Sequence, residues 1–184
     1  MKLTKDKLIE LHACGAGVEW FETCREDEVS RVVDKLMAYD RFDWANWLIV
    51  RLLTDDNLAL YAIHAAELVL HVYENKYPDD NRPRNAINAA KDYLDKGASP
   101  APAYDPANAA AANAYANAAY APAFAPAHAA AASAYAVIRA ATRADIAGAA
   151  TNATTYAIEA ADAKTKSKII NYGLDLLMGQ DEKD

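Results

Sequence analysis

Cysteine is scarce in this chain: Cys14 and Cys24 are the only two in 184 residues. They lie ten positions apart and form no CxxC pair, so they are too few for a disulfide scaffold or a cysteine-rich zinc site. Two free thiols in a reducing cytosol are the simplest interpretation. The opening residues, MKLTKDKLIELHACGAG, contain no long apolar run of the kind that a secretory signal needs, and we therefore expect a cytoplasmic protein.

The motifs that accompany catalysis and nucleotide binding are also missing. There is no GxGxxG, no phosphate-binding loop and no serine in a nucleophile elbow. We therefore expect no catalytic residue, no cofactor and no enzymatic activity. The net charge of −7 and the pI of about 5.1 argue against nonspecific binding to nucleic acid or to an anionic membrane, and they suit a protein that docks onto a basic partner.

Long hydrophobic runs are absent as well, although the second half is rich in alanine. From Pro102 to Ala136 the chain carries one formal charge, Asp105. A membrane span needs about 20 strongly apolar residues, whereas asparagines and His128 interrupt this stretch. A disordered linker is normally rich in Gly, Ser, Glu or Lys, and this stretch is poor in all four. Because alanine is the best helix former, the stretch predicts helices.

Hydrophobic periodicity predicts several helices in the first hundred residues. LTKDKLIELHA is the first, the glycines of CGAG end it, and VEWFETC follows as a turn or short helix. Glu26, Asp27 and Glu28 are expected in the first turn of the next helix, where negative charge suits the helix dipole. Thr54 or Asp55 is expected to cap the longest helix. The further helices are predicted for REDEVSRVVDKLMAYD, FDWANWLIVRLL, TDDNLALYAIHAAELVLHVYENKYP and PRNAINAAKDYLDKG.

Proline positions divide the alanine-rich half. Asp105 and Pro106 form an N-cap and N1 pair, which predicts a helix to about Tyr120. Pro122 and Pro126 predict a break and a new helix from about Pro126. The last helices are predicted for TNATTYAIEAADAK and KSKIINYGLDLLMG.

The whole pattern predicts an all-α protein, a bundle of about six to eight helices in a single domain over residues 1–180. Helices rich in Trp and Leu would occupy residues 1–97, and alanine-rich helices of the same domain would occupy residues 98–180. Helices covered with alanine can approach their neighbours closely, so we expect tight packing in the C-terminal half. The alternative is an alanine–proline tether without a fixed fold.

One helix carries a polar stripe with metal-ligand chemistry. His64, Glu67, His71 and Glu74 fall on one side of the predicted helix, and His-x2-Glu-x3-His is a spacing that can offer ligands to a metal. The simpler interpretation is the solvated face of an otherwise apolar helix. A metal site at His64, Glu67 and His71 would need ligands from a second helix.

The loop YPDDNRPRNA, residues 77 to 86, brings two carboxylates close to two guanidinium groups. Asp79, Asp80, Arg82 and Arg84 could form ion pairs that fix the loop and cap the following helix. The alternatives are a loop that docks onto a partner, or acid–base catalysis by the adjacent carboxylates.

This loop also carries a family resemblance. Together with DWANWLIVRLL before it and the alanine-rich tail after it, the block resembles immunity proteins of bacterial polymorphic toxin systems, which share a YPDDxRPRxAIxAA motif. The resemblance covers roughly residues 40 to 165, although only His128 and TTYAIEAA echo the histidine elements of the family's tail. The matching residues are Tyr77, Pro78, Asp79, Asp80, Arg82, Pro83, Arg84, Ala86, Ile87, Ala89 and Ala90.

The resemblance implies a small cytoplasmic helical protein that binds a toxin and neutralises it. We therefore expect a noncatalytic inhibitor with a protein partner and without nucleic acid, membrane or cofactor. The alternatives are an inhibitor of a host defence factor carried by a phage or mobile element, a helical metal-binding protein or enzyme, and a module that forms homo-oligomers. The expected partner-binding residues are Tyr77, Asp79, Asp80, Arg82 and Arg84.

Overall fold

The computed structural model describes residues 1–96, 125, 128, 129, 132 and 146–181. No strand occurs in these residues, and their one extended pairing is an isolated antiparallel bridge between Lys2 and Glu28. The prediction of an all-α bundle is confirmed. The helices with described bounds are α1 (Lys5–Glu10), α2 (Gly15–Cys24), α3 (Val29–Ala38), α4 (Phe42–Leu52), α5 (Asp55–Lys76), α6 (Arg82–Lys96), α7 (Ile146–Ala160) and α8 (Ala163–Asp181).

The N-terminal helices differ from the sequence expectation in two details. Gly15 and Gly17 lie in the first turn of α2, and the chain reverses before them at His12, whose φ is 62°. The acidic residues 26–28 precede α3 instead of forming its first turn. The reason is a long-range pairing: the Leu3 N–H donates to the Asp27 carbonyl at 2.6 Å, and the Val29 N–H donates to the Met1 carbonyl at 3.2 Å.

The centre of the bundle is formed by α4, α5, α7 and α8, and α5 makes its most extensive contact with α7. Alanines cover both sides of that contact, so the two backbones approach closely, as predicted for the alanine-rich half. α6 packs against α5, and α3 joins the N-terminal helices to α4. The fully buried alanines of α5 are Ala59, Ala62, Ala65 and Ala66, and those of α7 are Ala150, Ala153 and Ala157.

Gly173 allows α8 to pack against α4 and α5. A Cβ atom at this position would lie 2.8 Å from the Ile49 Cγ2 atom and 2.8 Å from a ring carbon of Tyr61. Tyr61 is fully buried and donates its hydroxyl hydrogen to the Asn46 side-chain oxygen at 2.9 Å. This bond satisfies both polar groups in the core, and burial raises the pKa of Tyr61.

The end of α8 is fastened to the α4–α5 junction by Gln180. Its side-chain oxygen accepts from the Thr54 N–H and from the Asn57 amide, each at 2.8 Å, and its amide donates to the Leu52 carbonyl at 3.3 Å. Thr54 is the N-cap of α5 by position, but its side chain makes no capping hydrogen bond. Thr54 thus stands at the expected N-cap position, and Gln180 binds its backbone N–H instead of capping the first turn of α5.

The alanine-rich half is helical where it is described, although α7 begins at Ile146, before the predicted segment TNATTYAIEAADAK. Ala125, His128, Ala129 and Ala132 are helical, and Gly148 lies inside α7. Ala125 falls within the break predicted at residues 122 to 126 but is helical, and the other residues of that break are not described. The predicted helix over 105–120 and the helix end at Gly97 also lie outside the described residues. α7 and α8 share one core with α4 and α5, whereas the single domain over residues 1–180 stays a prediction. Among the described helices, none combines the length and the apolarity that crossing a membrane requires.

The close approach at Gly173 gives a direct stability test. Gly173→Ala should lower the free energy of unfolding, because overpacking costs about 1–3 kcal/mol and helix propensity returns at most about 1 kcal/mol. Gly179→Ala is the matched control on the same helix, since its added Cβ would meet nothing within 4 Å. Urea unfolding should show Gly173→Ala below the wild type and Gly179→Ala at or above it. Equal stabilisation by both substitutions would contradict the close approach.

Candidate functional site

The candidate site is the corner between α5 and α6, which we call the α5–α6 corner and define as residues 73–85. α5 ends where the Tyr77 N–H donates to the Tyr73 carbonyl at 2.9 Å, and Pro78 follows immediately. Pro78 disfavours helical geometry for the residue before it, so Lys76 is the last residue of α5 and Tyr77 is its non-helical C-cap. The chain turns through the Asp80 N–H, which donates to the Tyr77 carbonyl at 3.1 Å, and α6 then begins at Arg82.

Asp80 organises the turn. One of its oxygens accepts from the Arg82 backbone N–H at 3.1 Å and from the Arg82 Nε at 2.8 Å. The other oxygen accepts from Arg82 Nη2 and from the Tyr73 hydroxyl, both at 2.6 Å. The carboxylate therefore caps the start of α6 and ties it to the last turn of α5.

The electrostatics of Asp80 follow from these contacts. Partial burial favours the protonated carboxyl and raises its pKa, but the hydrogen bonds from Arg82 and Tyr73 outweigh that effect. The pKa of Asp80 therefore lies below its usual value. The group stays ionised at neutral pH, so the ion pair with Arg82 is intact there.

A second bidentate pair joins α6 to α5. Arg84 donates from Nε and Nη2 to the two oxygens of Glu74 at 2.8 and 2.6 Å. The hydrogen bond to Glu74 raises the pKa of Arg84. The ion pairs expected within the loop thus form at Asp80 and Arg82, whereas Arg84 binds a carboxylate of the preceding helix.

The corner also has a solvent-exposed surface, whose residues are mostly not those of the two ion pairs. Pro78, Asp79, Asn81 and Asn85 are exposed, and they line a shallow groove of about 610 Å³ together with Lys76, Tyr77, Asp80 and Arg82. The Tyr77 ring lies 4.9 Å from the Tyr73 ring, and the Lys76 ammonium lies 5.6 Å from the centre of the Tyr77 ring. Asp79 makes no hydrogen bond or ion pair with another described residue, so its charge faces solvent. The groove therefore offers an aromatic ring, amides and a carboxylate on a fixed turn.

The three residues of the predicted metal site have different surroundings and different partners. His64 stacks on Tyr172 of α8 with ring centres 3.9 Å apart, and burial lowers its pKa. Glu67 binds the Lys91 ammonium at 2.6 Å, and His71 is exposed. Over the described ranges of the chain, no group of three or more His, Cys, Asp and Glu side chains is placed to hold a metal ion. A metal bound by His64, Glu67 and His71 stays a prediction that metal analysis of the purified protein would test.

Two residues that bind the arginine and carboxylate groups of the corner were not predicted from the sequence. Tyr73 is a buried residue of an apolar stripe, and nothing in its spacing shows that its hydroxyl reaches Asp80. Glu74 had been grouped with the polar stripe of α5, but its partner is Arg84, ten residues later across a turn. Only the angle between α5 and α6 brings these groups together.

The all-α fold and the ion-paired corner can now be set beside a comparison with known protein families. Residues 50–174 match the family described as Imm-5 like putative immunity protein, and this range contains the α5–α6 corner and the α5–α7 contact. The match spans about two thirds of the chain, and the chain belongs to this family. The resemblance to immunity proteins is thereby confirmed. No curated protein and no solved structure matches the chain.

The depressed pKa of Asp80 predicts a pH dependence of stability. A folded-state pKa below the unfolded value gives stability that is present above the unfolded pKa of about 3.9 and is lost as pH falls through the folded pKa. Asp80→Asn should therefore lower the free energy of unfolding by about 1–3 kcal/mol at neutral pH, and the difference from wild type should shrink in acid. Chemical unfolding at neutral pH and at about pH 3 would measure it.

Asp79→Asn is the control for this prediction, since it removes the same charge one residue away. Its effect should stay within about 0.5 kcal/mol. Equal losses in the two variants, or a loss in Asp80→Asn that persists undiminished in acid, would mean that the carboxylate of Asp80 does not hold the turn.

Proposed function

We propose that this protein neutralises a protein toxin by binding it, without catalysis, in the cytoplasm. The observation that carries the proposal is the membership in an immunity protein family, through a match that includes the α5–α6 corner. The absence of nucleotide-binding and nucleophile motifs from the sequence is consistent with inhibition by occupancy.

The α5–α6 corner is the proposed contact surface. Asp80 and Glu74 hold the two arginines in place, so the groove is formed before the partner arrives and little ordering entropy is lost on binding. Tyr77 provides an aromatic ring beside it, and aromatic residues with arginine dominate the energetics of most interfaces. Arg82 and Arg84 keep 43% and 42% of their side-chain surface exposed, which leaves part of each guanidinium for the partner.

The charge of the protein supports a basic partner. The net charge of −7 supplies long-range attraction, which raises the association rate more than the final affinity. Asp79 is the carboxylate of the corner that faces solvent, and we assign it the contact with a basic group of the toxin.

The binding test uses a charge reversal at Asp79. Reversing Arg82 or Arg84 is less informative, because the new carboxylate would lie against Asp80 or Glu74 and disturb the fold. Asp79→Lys should weaken binding to the toxin that the protein neutralises by about tenfold or more, with unchanged helix content. Asp34→Lys is the matched control, since Asp34 is an exposed residue of α3 with the same charge.

Calorimetry with the purified toxin and rescue of growth on coexpression would measure the effect. If Asp79→Lys and Asp34→Lys bound the toxin with equal affinity, the corner would not be part of the interface. A failure to bind any neighbouring toxin, combined with binding to a bacterial defence protein, would favour the counter-defence inhibitor instead. Light scattering at several concentrations would show whether the protein forms homo-oligomers.

A further inference from the structure

A second concave surface lies between α1, α2, α3 and α4. It is a half-enclosed cavity of about 360 Å³, and we call it the tryptophan pocket. Its floor is formed by buried aliphatic residues of the core, including Leu3, Val32, Leu36 and Leu48. Cavities of about 300–1,000 Å³ with apolar walls are typical of small-molecule sites. All of its lining residues precede residue 50, where the family match begins.

The walls of the tryptophan pocket are aromatic. Trp20, Phe21, Trp44 and Trp47 line it, and the chain has no other tryptophan. The Trp20 and Trp44 rings meet edge to face with their centres 6.3 Å apart, which fixes both indoles in one arrangement. A flat ring entering the cavity would therefore meet rigid aromatic surfaces.

The charges at the mouth of the pocket cancel. Asp43 lines the pocket, and Arg41 binds both of its oxygens at 3.2 Å. The Arg41 guanidinium lies 3.5 Å from the centre of the Trp44 ring, so this cation is already placed on an aromatic face. Apart from the indole N–H groups of the tryptophans, the other polar side chains of the lining are those of His12 and Cys14, both exposed. A charged ligand would lose its hydration without meeting an unpaired countercharge.

Gly17 keeps one wall of the pocket without a side chain. A Cβ atom there would meet only the Cys14 sulfur, at an ordinary contact distance of 3.5 Å. Helix packing therefore does not require glycine at this position, in contrast to Gly173. The missing side chain instead leaves the volume of the pocket open.

We propose that the tryptophan pocket binds a small neutral ring compound, about the size of one or two fused rings. The volume of the pocket sets the size of the ligand, and its apolar walls favour an apolar ring. Because Asp43 is already paired with Arg41, the pocket favours a ligand without net charge. This binding is separate from toxin neutralisation and uses different helices.

Three probes with the same ring test the class of ligand: benzyl alcohol, benzylamine and benzoate. The three tryptophans of the chain line the pocket, so their fluorescence reports its occupancy directly. Benzyl alcohol should change the emission saturably and raise the melting temperature, and the two charged probes should bind at least about tenfold more weakly. Tightest binding by benzylamine, or a change that never saturates, would overturn the proposal.

Two glycine variants locate the binding. Gly17→Leu should fill the pocket and abolish the response to benzyl alcohol. Gly15→Leu should retain it, because Gly15 lies in the same turn of α2 but its added Cβ would meet nothing within 4 Å. If Gly17→Leu fails to fold, Gly17→Ala fits the space and should weaken binding measurably. Equal responses of the leucine variants would overturn the assignment.

Toxin binding by the same variants separates this proposal from the proposed function. Gly17→Leu and Gly15→Leu should neutralise the toxin equally well. A selective loss in Gly17→Leu would make the pocket a contact for the toxin and would overturn the small-molecule assignment. A failure of the toxin experiment at Asp79 leaves the fluorescence result unaffected.

Discussion

The contact of α8 with α4 and α5 at Gly173 is the constraint on which the rest of the bundle depends. The backbone of α8 lies where any side chain at residue 173 would overlap Ile49 and the ring of Tyr61. The Tyr61 ring is held in turn by its hydrogen bond to Asn46 on α4. One glycine and one buried polar pair thus set the spacing of three helices, and Gln180 fixes the end of α8 against the α4–α5 junction.

Alanine allows the close contact between α5 and α7. Small side chains give little transfer free energy each, because the apolar area that each one buries is small. They allow α5 and α7 to approach closely, and the helices lose little side-chain entropy on folding. The larger residues of α5, such as Leu70 and Val69, fill the space that the alanines leave. Stability in this half therefore depends on helix propensity and close packing more than on bulky core residues.

Periodicity within a segment is visible in a sequence, and contacts between distant segments are not. Val29, Val32, Val33 and Leu36 recur at helical spacing, and these four residues are the buried face of α3. The predicted start of that helix was too early, because residues 27–29 pair with the first three residues of the chain. The turn between α5 and α6 was predictable from Pro78 and Asp80. The binding of Arg84 to Glu74 was not, because it depends on the angle between the two helices.

The two arginines of the α5–α6 corner also depend on contacts that the sequence does not show. A sequence with two arginines in a loop suggests a basic docking site, but both guanidinium groups are bound to carboxylates of the same chain. Their positive charge is therefore compensated locally, and the field at the surface stays that of an acidic protein. What the arginines provide is a rigid turn whose exposed atoms are held in one geometry. If the corner binds a toxin as proposed, attraction comes from the whole molecule and selectivity from the corner, so substitutions far from the corner should change mainly the association rate and substitutions in it mainly the dissociation rate.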